Sequence, residues 1–124
     1  MNENARRMLL GSLRELGNIE LQQRVWVQGL GPECSSFVEA VCQAFDDTGL
    51  TELLKAPGSV AREFGVELEE ELLRLDASLS LLPDDLVAAE RLRHPDWSAV
   101  VEAANRAASL LARQVELAEN RPDV

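Results

Sequence analysis

Apolar side chains recur at alternating steps of four and three residues along two long stretches of the chain. The first stretch contains Leu68, Leu72, Leu75, Leu79 and Leu82, and the second contains Trp97, Val101, Ala104, Ala108, Leu111, Val115 and Ala118. An α-helix has 3.6 residues per turn, so this spacing places the apolar side chains on one face. The sequence therefore predicts two amphipathic helices that bury these stripes against each other and against a helix at residues 35–46.

Shorter segments continue the helical pattern. Leu9, Leu13 and Leu16 predict a first helix that ends at Gly17. Residues 19–28 fit a helix capped by Asn18, although residues 24–28 also have strand propensity, so a strand stays open as the alternative there.

Capping and turn residues mark where the next helices begin and end. Ser36 and Glu39 form a capping-box pattern before the helix at residues 35–46. Pro83 ends the leucine-rich helix and is predicted to open the next one, with Asp84 and Asp85 in its first turn.

Together these signals predict an all-α protein. We expect one compact bundle of about five or six helices, because the length of 124 residues fits a single domain. The predicted domain spans residues 1–124, with residues 1–3 and 120–124 frayed at its ends.

Negative charge is concentrated in the middle of the chain. The net charge is −10, and residues 59–90 alone contain nine acidic and two basic residues. The densest block is Glu67, Glu69, Glu70 and Glu71, in which Glu67, Glu70 and Glu71 are predicted to share a face away from the leucine stripe. Such a surface is either a solvated face or a binding surface for a basic protein, and it argues against nucleic acid as a partner.

No motif in the sequence predicts a catalytic or cofactor-binding residue. The two cysteines and the single histidine cannot supply four zinc ligands, so we expect Cys42 in the core and Cys34 as a loop thiol. His94 is expected to bond a helix-terminal carbonyl or to face solvent. Residues 46–49 lack the carboxylate that a calcium loop needs at its twelfth position. We predict no metal and no cofactor.

One enzymatic alternative uses carboxylates alone. Six carboxylates would hold magnesium if they converged in the bundle, in the manner of the all-α nucleotide pyrophosphohydrolases. These carboxylates are Glu39, Asp46, Asp47, Glu67, Glu70 and Glu71. Those enzymes carry a Glu-Glu-x-x-Glu block, a spacing that residues 67–71 do not reproduce.

The two tryptophans have different predicted roles. Trp97 begins the long apolar stripe and is expected in the core. Trp26 lies beside the glycines at 29 and 31 and is expected to be half exposed, either as a packing residue or as part of a binding surface.

The first half of the chain also resembles a known group. The leucines of the first helix, the Gln23-x-x-Trp26 pattern and the run Phe45-Asp46-Asp47 are similar to small uncharacterised bacterial proteins known mainly from actinobacteria. The resemblance covers about residues 5–50. By analogy it implies an immunity or antitoxin-type protein of bacterial competition systems, and it implies no functional residue.

The leading functional hypothesis is a non-catalytic acidic module that binds a basic protein, such as a bacterial nuclease. Its predicted binding residues are Asp46, Asp47, Glu67, Glu70, Glu71 and Trp26. The alternatives are the magnesium-dependent hydrolase and a homodimer formed through the Ala-rich last helix. Since the sequence contains no membrane-spanning apolar run and no signal-peptide pattern, we expect a cytoplasmic protein.

Overall fold

The computed structural model describes residues 1–31 and 35–119. The helices are α1 (Glu3–Leu16), α2 (Ile19–Leu21), π1 (Gln22–Val27), α3 (Phe37–Val41), π2 (Cys42–Asp47), α4 (Leu50–Lys55), α5 (Ser59–Phe64), α6 (Val66–Ser80), α7 (Ala88–Arg93) and α8 (Trp97–Glu119). α2 continues into π1 and α3 into π2, and no strand occurs within the described residues. The predicted all-α class is confirmed: with α2–π1 and α3–π2 each counted as one continuous helix, the described part of the chain has five helices of seven or more residues.

The core forms where α8 packs against both α1 and α6. The face of α8 that meets them contains Ala103, Ala104, Ala107 and Ala108, all buried. Small side chains let neighbouring helix backbones approach closely, and the turn after α1 shows this directly. A Cβ at Gly17 would lie 2.1 Å from the side-chain oxygen of Asn105 on α8. The alanine face is therefore used inside the protein, and the homodimer alternative stays a prediction.

The predicted leucine stripe of α6 lies in the core. Leu68, Leu72 and Leu75 are buried, as are Leu82 just beyond the helix and Trp97 at the start of α8. The core placement predicted for Trp97 is confirmed. α5 packs against α6, and Gly65 with φ of 93° makes the sharp turn between these two helices.

The segment at residues 19–28 is helical rather than extended. Asn18 accepts a hydrogen bond from the N–H of Leu21, as an N-cap does, and the helix then widens into π1. Ser36 likewise caps α3 by accepting from the N–H of Glu39. The helical interpretation of residues 19–28 is thus confirmed, although the π-helical form was not predicted.

Several local expectations are corrected. Residues 83–87 form a turn, and α7 begins at Ala88, where the carboxylate of Glu90 reaches back to the N–H of Val87. Cys42 is exposed rather than in the core, whereas Ala44 and Phe45 of the same segment are buried. Asn2 caps α1 by accepting from the N–H of Ala5, and the expected fraying of residues 1–3 stays a prediction. Cys34 and residues 120–124 lie outside the described residues.

Across residues 1–31 and 35–119, no helix combines the length and apolarity needed to cross a membrane.

Candidate functional site

The acidic block of α6 separates into carboxylates that are used inside the protein and carboxylates that face water. Glu69 and Glu71 belong to the first group. The Oε2 of Glu69 accepts a hydrogen bond of 3.0 Å from the N–H of Ala61 in the first turn of α5. This bond satisfies a helix-terminal N–H that has no partner within its own helix. Glu69 therefore links α5 to α6.

Glu71 lies between α6 and α8. Its Oε1 is 3.1 Å from Nη1 of Arg74 and 4.0 Å from Nη1 of Arg106 on α8, and its side chain is only 12% exposed. Arg106 also bonds Glu102 on α8. The predicted shared exposed face of Glu67, Glu70 and Glu71 is wrong for Glu71, because this carboxylate meets arginines from two helices instead of water.

A groove of about 400 Å³ runs between these two helices beside Glu71. Arg106, Arg113 and Leu110 contribute to its lining. Arginines therefore balance the negative charge of Glu71. The exposed carboxylates of the same helix differ from it.

Glu67 and Glu70 are exposed, and neither forms an ion pair with any described residue. Glu70 lies on the side of α6 opposite to the buried leucines, together with three exposed apolar residues, and Glu67 lies at the edge of that side. We call this surface the outer face of α6 and define it by Val66, Glu67, Glu70, Leu73 and Leu81. Its two carboxylates are available to a partner without breaking an internal contact.

Asp46 and Asp47 lie on a different part of the molecule. Both are exposed at the end of π2, and the Oδ1 of Asp46 accepts a 3.4 Å hydrogen bond from the hydroxyl of Thr51. π2 packs mainly against α1, α3 and α4, whereas α6 packs against α5 and α8. The structure therefore does not bring these aspartates together with the carboxylates of α6.

The carboxylates also do not converge on a metal site. Among residues 1–31 and 35–119, no three His, Cys, Asp or Glu side chains form a group that could hold one metal ion. The arrangement expected for the magnesium-dependent hydrolase is thus not present in this part of the chain.

Trp26 packs into an aromatic cluster with Phe37 and Trp97. Its ring centroid is 6.1 Å from each of the other two, in edge-to-face geometry, an arrangement that stabilises aromatic packing. Its indole N–H is shared between the carboxylate of Glu15 and the hydroxyl of Ser35, each at 3.2 Å. Trp26 is half-buried and lies on π1, so it does not extend the outer face of α6, and its predicted role in partner binding stays a prediction.

With this geometry established, comparison with known proteins gives a family. A family described as a domain of unknown function (DUF7945) matches residues 2–119. The chain belongs to this family. No curated protein and no solved structure matches the chain. The family match covers residues 2–119, and it assigns no activity to this DUF7945 chain.

Two residues of this DUF7945 domain were missed by the sequence interpretation. Gln22 is fully buried, and its amide donates hydrogen bonds of 2.9 Å to the carbonyls of Glu15 and Leu16 at the end of α1. Its Oε1 accepts the indole N–H of Trp97 at 3.0 Å. A glutamine inside an apolar helical pattern carries no signal for such a link, because its partners lie elsewhere in the sequence.

Arg91 is the second missed residue. Its guanidinium lies 3.8 Å from the centroid of the Phe37 ring, a cation–π contact, and the residue is buried. Burial lowers the pKa of the Arg91 guanidinium, and the charge of Asp84 opposes this shift.

Glu15 completes the polar surroundings of the aromatic cluster. Burial raises the pKa of the Glu15 carboxyl above its ordinary value of 4.5, while the hydrogen bond from Trp26 acts in the opposite direction and the charge of Glu39 raises it further.

Proposed function

We propose that this protein is a non-catalytic module that binds a basic protein through the outer face of α6. The observation that supports the proposal is the division of the α6 carboxylates. Glu69 and Glu71 have partners on α5, α6 and α8, whereas Glu67 and Glu70 are exposed and unpaired among the described residues. Carboxylates held on a rigid helix and free of internal partners suit electrostatic recognition.

The basic partner that fits best is an effector whose own site carries positive charge, such as a bacterial nuclease. A nuclease must present positive charge to bind phosphates, so an acidic helix competes for the same surface. In this proposal the protein acts as an immunity or inhibitor protein in the cytoplasm. The resemblance of residues 5–50 to small uncharacterised bacterial proteins suggests an immunity role by analogy alone.

The test is retention of partners from a lysate of the host by tagged protein, at low and at high salt, with mass spectrometry of what is retained. The variant is Glu67→Lys with Glu70→Lys. The matched control is Glu20→Lys with Glu116→Lys, which changes the net charge equally at exposed positions on α2 and α8. We expect wild type and control to hold the same basic protein at low salt, and the α6 variant to lose it.

Three results would contradict the proposed function. If all three proteins retain the same set of partners, the α6 carboxylates are not the binding surface. If the two charge variants lose the partner equally, net charge rather than a defined surface governs retention. A partner that stays bound at high salt would also argue against electrostatic recognition.

A further inference from the structure

α6 carries a second apolar stripe on the side away from the core. Its members are Val66, Leu73 and Leu81, which are 62%, 47% and 68% exposed. Ala77 is also exposed and continues the same side of the helix. The steps from 66 to 70, 73, 77 and 81 are four, three, four and four residues, which is the spacing of one helix face. The side of α6 away from the core thus carries exposed apolar residues on both sides of Glu70.

This outer stripe has the dimensions of a helix-binding surface. Fifteen residue steps separate Val66 from Leu81, about 22 Å at a rise of 1.5 Å per residue. A partner helix of about four turns would cover this length, with its own apolar residues at steps of three and four. Exposed apolar residues aligned in this way are more informative than scattered ones.

The charges beside the stripe define the partner. Glu67 and Glu70 lie among the apolar residues, and the exposed Asp76 follows on the same helix. Arg74, the basic residue within α6, is already paired with Glu71. Lysines or arginines flanking an apolar stripe would pair with these free carboxylates and rest their alkyl stems on the leucines.

A second copy of the chain fits this surface less well. Each copy carries a net charge of −10, and an α6–α6 contact would bring acidic faces together. An anionic membrane surface is disfavoured for the same reason.

We infer that the outer face of α6 docks a basic amphipathic helix of the partner protein, with Leu73 and Leu81 as its apolar anchors. This inference rests on the proposed function, since it specifies the partner's contacting element. The two kinds of residue have separable effects. Glu67 and Glu70 accelerate association, and the leucines slow dissociation, because steering acts before contact and apolar burial acts after it.

The experiment uses two labelled peptides of about 21 residues, a length chosen to give about three heptads. Both contain the same leucines and lysines. One has its leucines on a single helix face, and the other has them distributed around the helix. Binding to the full chain is measured by fluorescence anisotropy and stopped flow. We expect wild type to bind the amphipathic peptide at least about tenfold more tightly than the other peptide.

The variants then separate the contributions. Leu73→Asn with Leu81→Asn should raise the dissociation rate of the amphipathic peptide about tenfold and leave the association rate unchanged. The matched control is Leu117→Asn on α8, which is 71% exposed and should change neither rate. Glu67→Gln with Glu70→Gln should slow association at low salt. Far-ultraviolet circular dichroism confirms that these surface variants keep the fold.

Other results would overturn the inference in distinguishable ways. If wild type binds both peptides equally and the leucine variant changes nothing, there is no apolar docking site, and the proposed electrostatic function stands on the lysate experiment alone. If neither peptide binds, the helix-docking inference fails, and the lysate experiment still decides the proposed function. If sedimentation shows a dimer that the leucine variant dissociates, the occupant is a second copy.

Discussion

The aromatic cluster and the outer face of α6 differ in the surroundings of their polar side chains: those in the cluster are hydrogen-bonded inside the protein, and those on α6 face water. Around Trp26, Phe37 and Trp97, the buried Gln22 uses both ends of its amide for hydrogen bonds inside the protein. On α6, Glu67 and Glu70 have no such partners within the described chain. A polar group that the fold buries is bonded internally, whereas a polar group that faces water needs no internal partner.

The largest expected effect compares two adjacent leucines on α6. Leu72 is fully buried and Leu73 is 47% exposed. Leu72→Ala should lower the free energy of unfolding by about 2–5 kcal/mol, because it leaves a cavity in the core. Leu73→Ala should change it by less than about 1 kcal/mol. Urea denaturation measures both. Equal losses would mean that the outer stripe is part of the core, and the comparison drawn here would fail.

The next effect compares two adjacent glutamines at the aromatic end. Gln22→Leu leaves the indole N–H of Trp97 without its acceptor and removes two bonds to carbonyls of α1. We expect a loss of about 1–3 kcal/mol in the free energy of unfolding. Gln23→Leu, at an exposed position of π1, should change it by at most about 0.5 kcal/mol. A Gln22 variant as stable as the Gln23 variant would show that the buried amide is dispensable.

The smallest effect concerns Glu15 and pH. Because burial raises the pKa of Glu15 in the folded protein, the folded state holds its proton more tightly than the unfolded state does. Stability should therefore fall as the pH rises above 4.5 towards the higher folded pKa, and should level off beyond it. Glu15→Gln retains an acceptor for Trp26 and should remove this fall.

The exposed Glu20 provides the control for the pH experiment. Thermal unfolding at several pH values should give a flatter profile for Glu15→Gln than for Glu20→Gln. Parallel profiles for the two variants would place the pH dependence at other groups.

Much of the fold was predictable because local spacing reports which side of a helix is buried. The stripe from Leu68 to Leu82 and the core position of Trp97 follow from that spacing alone. The expected core position of Cys42 did not follow from that spacing. Cys42 lies two residues from both Ala40 and Ala44, so helical geometry places it on the other side of the helix, and it is exposed.

The candidate site was predictable only in part. Glu67 and Glu70 are exposed as expected, and their role in binding a partner stays a prediction. Glu71 is largely buried instead of exposed, because it lies beside Arg106 of α8. The sequence of α6 alone does not show that this arginine lies next to it. The second apolar stripe of α6 was also hidden in the sequence, since Val66 and Leu73 do not stand out until the buried side of the helix is known.

The sequence by itself determined the helical class, the inward stripes and the acidic character, because periodicity and composition are local properties. The tertiary structure decided which polar side chains form hydrogen bonds or ion pairs inside the protein. Gln22 meets Trp97 across 75 positions of the chain, and Glu69 meets the N–H of Ala61 on the preceding helix. Such pairings depend on how helices pack, and it is this packing that separates Glu71 from the exposed Glu67 and Glu70.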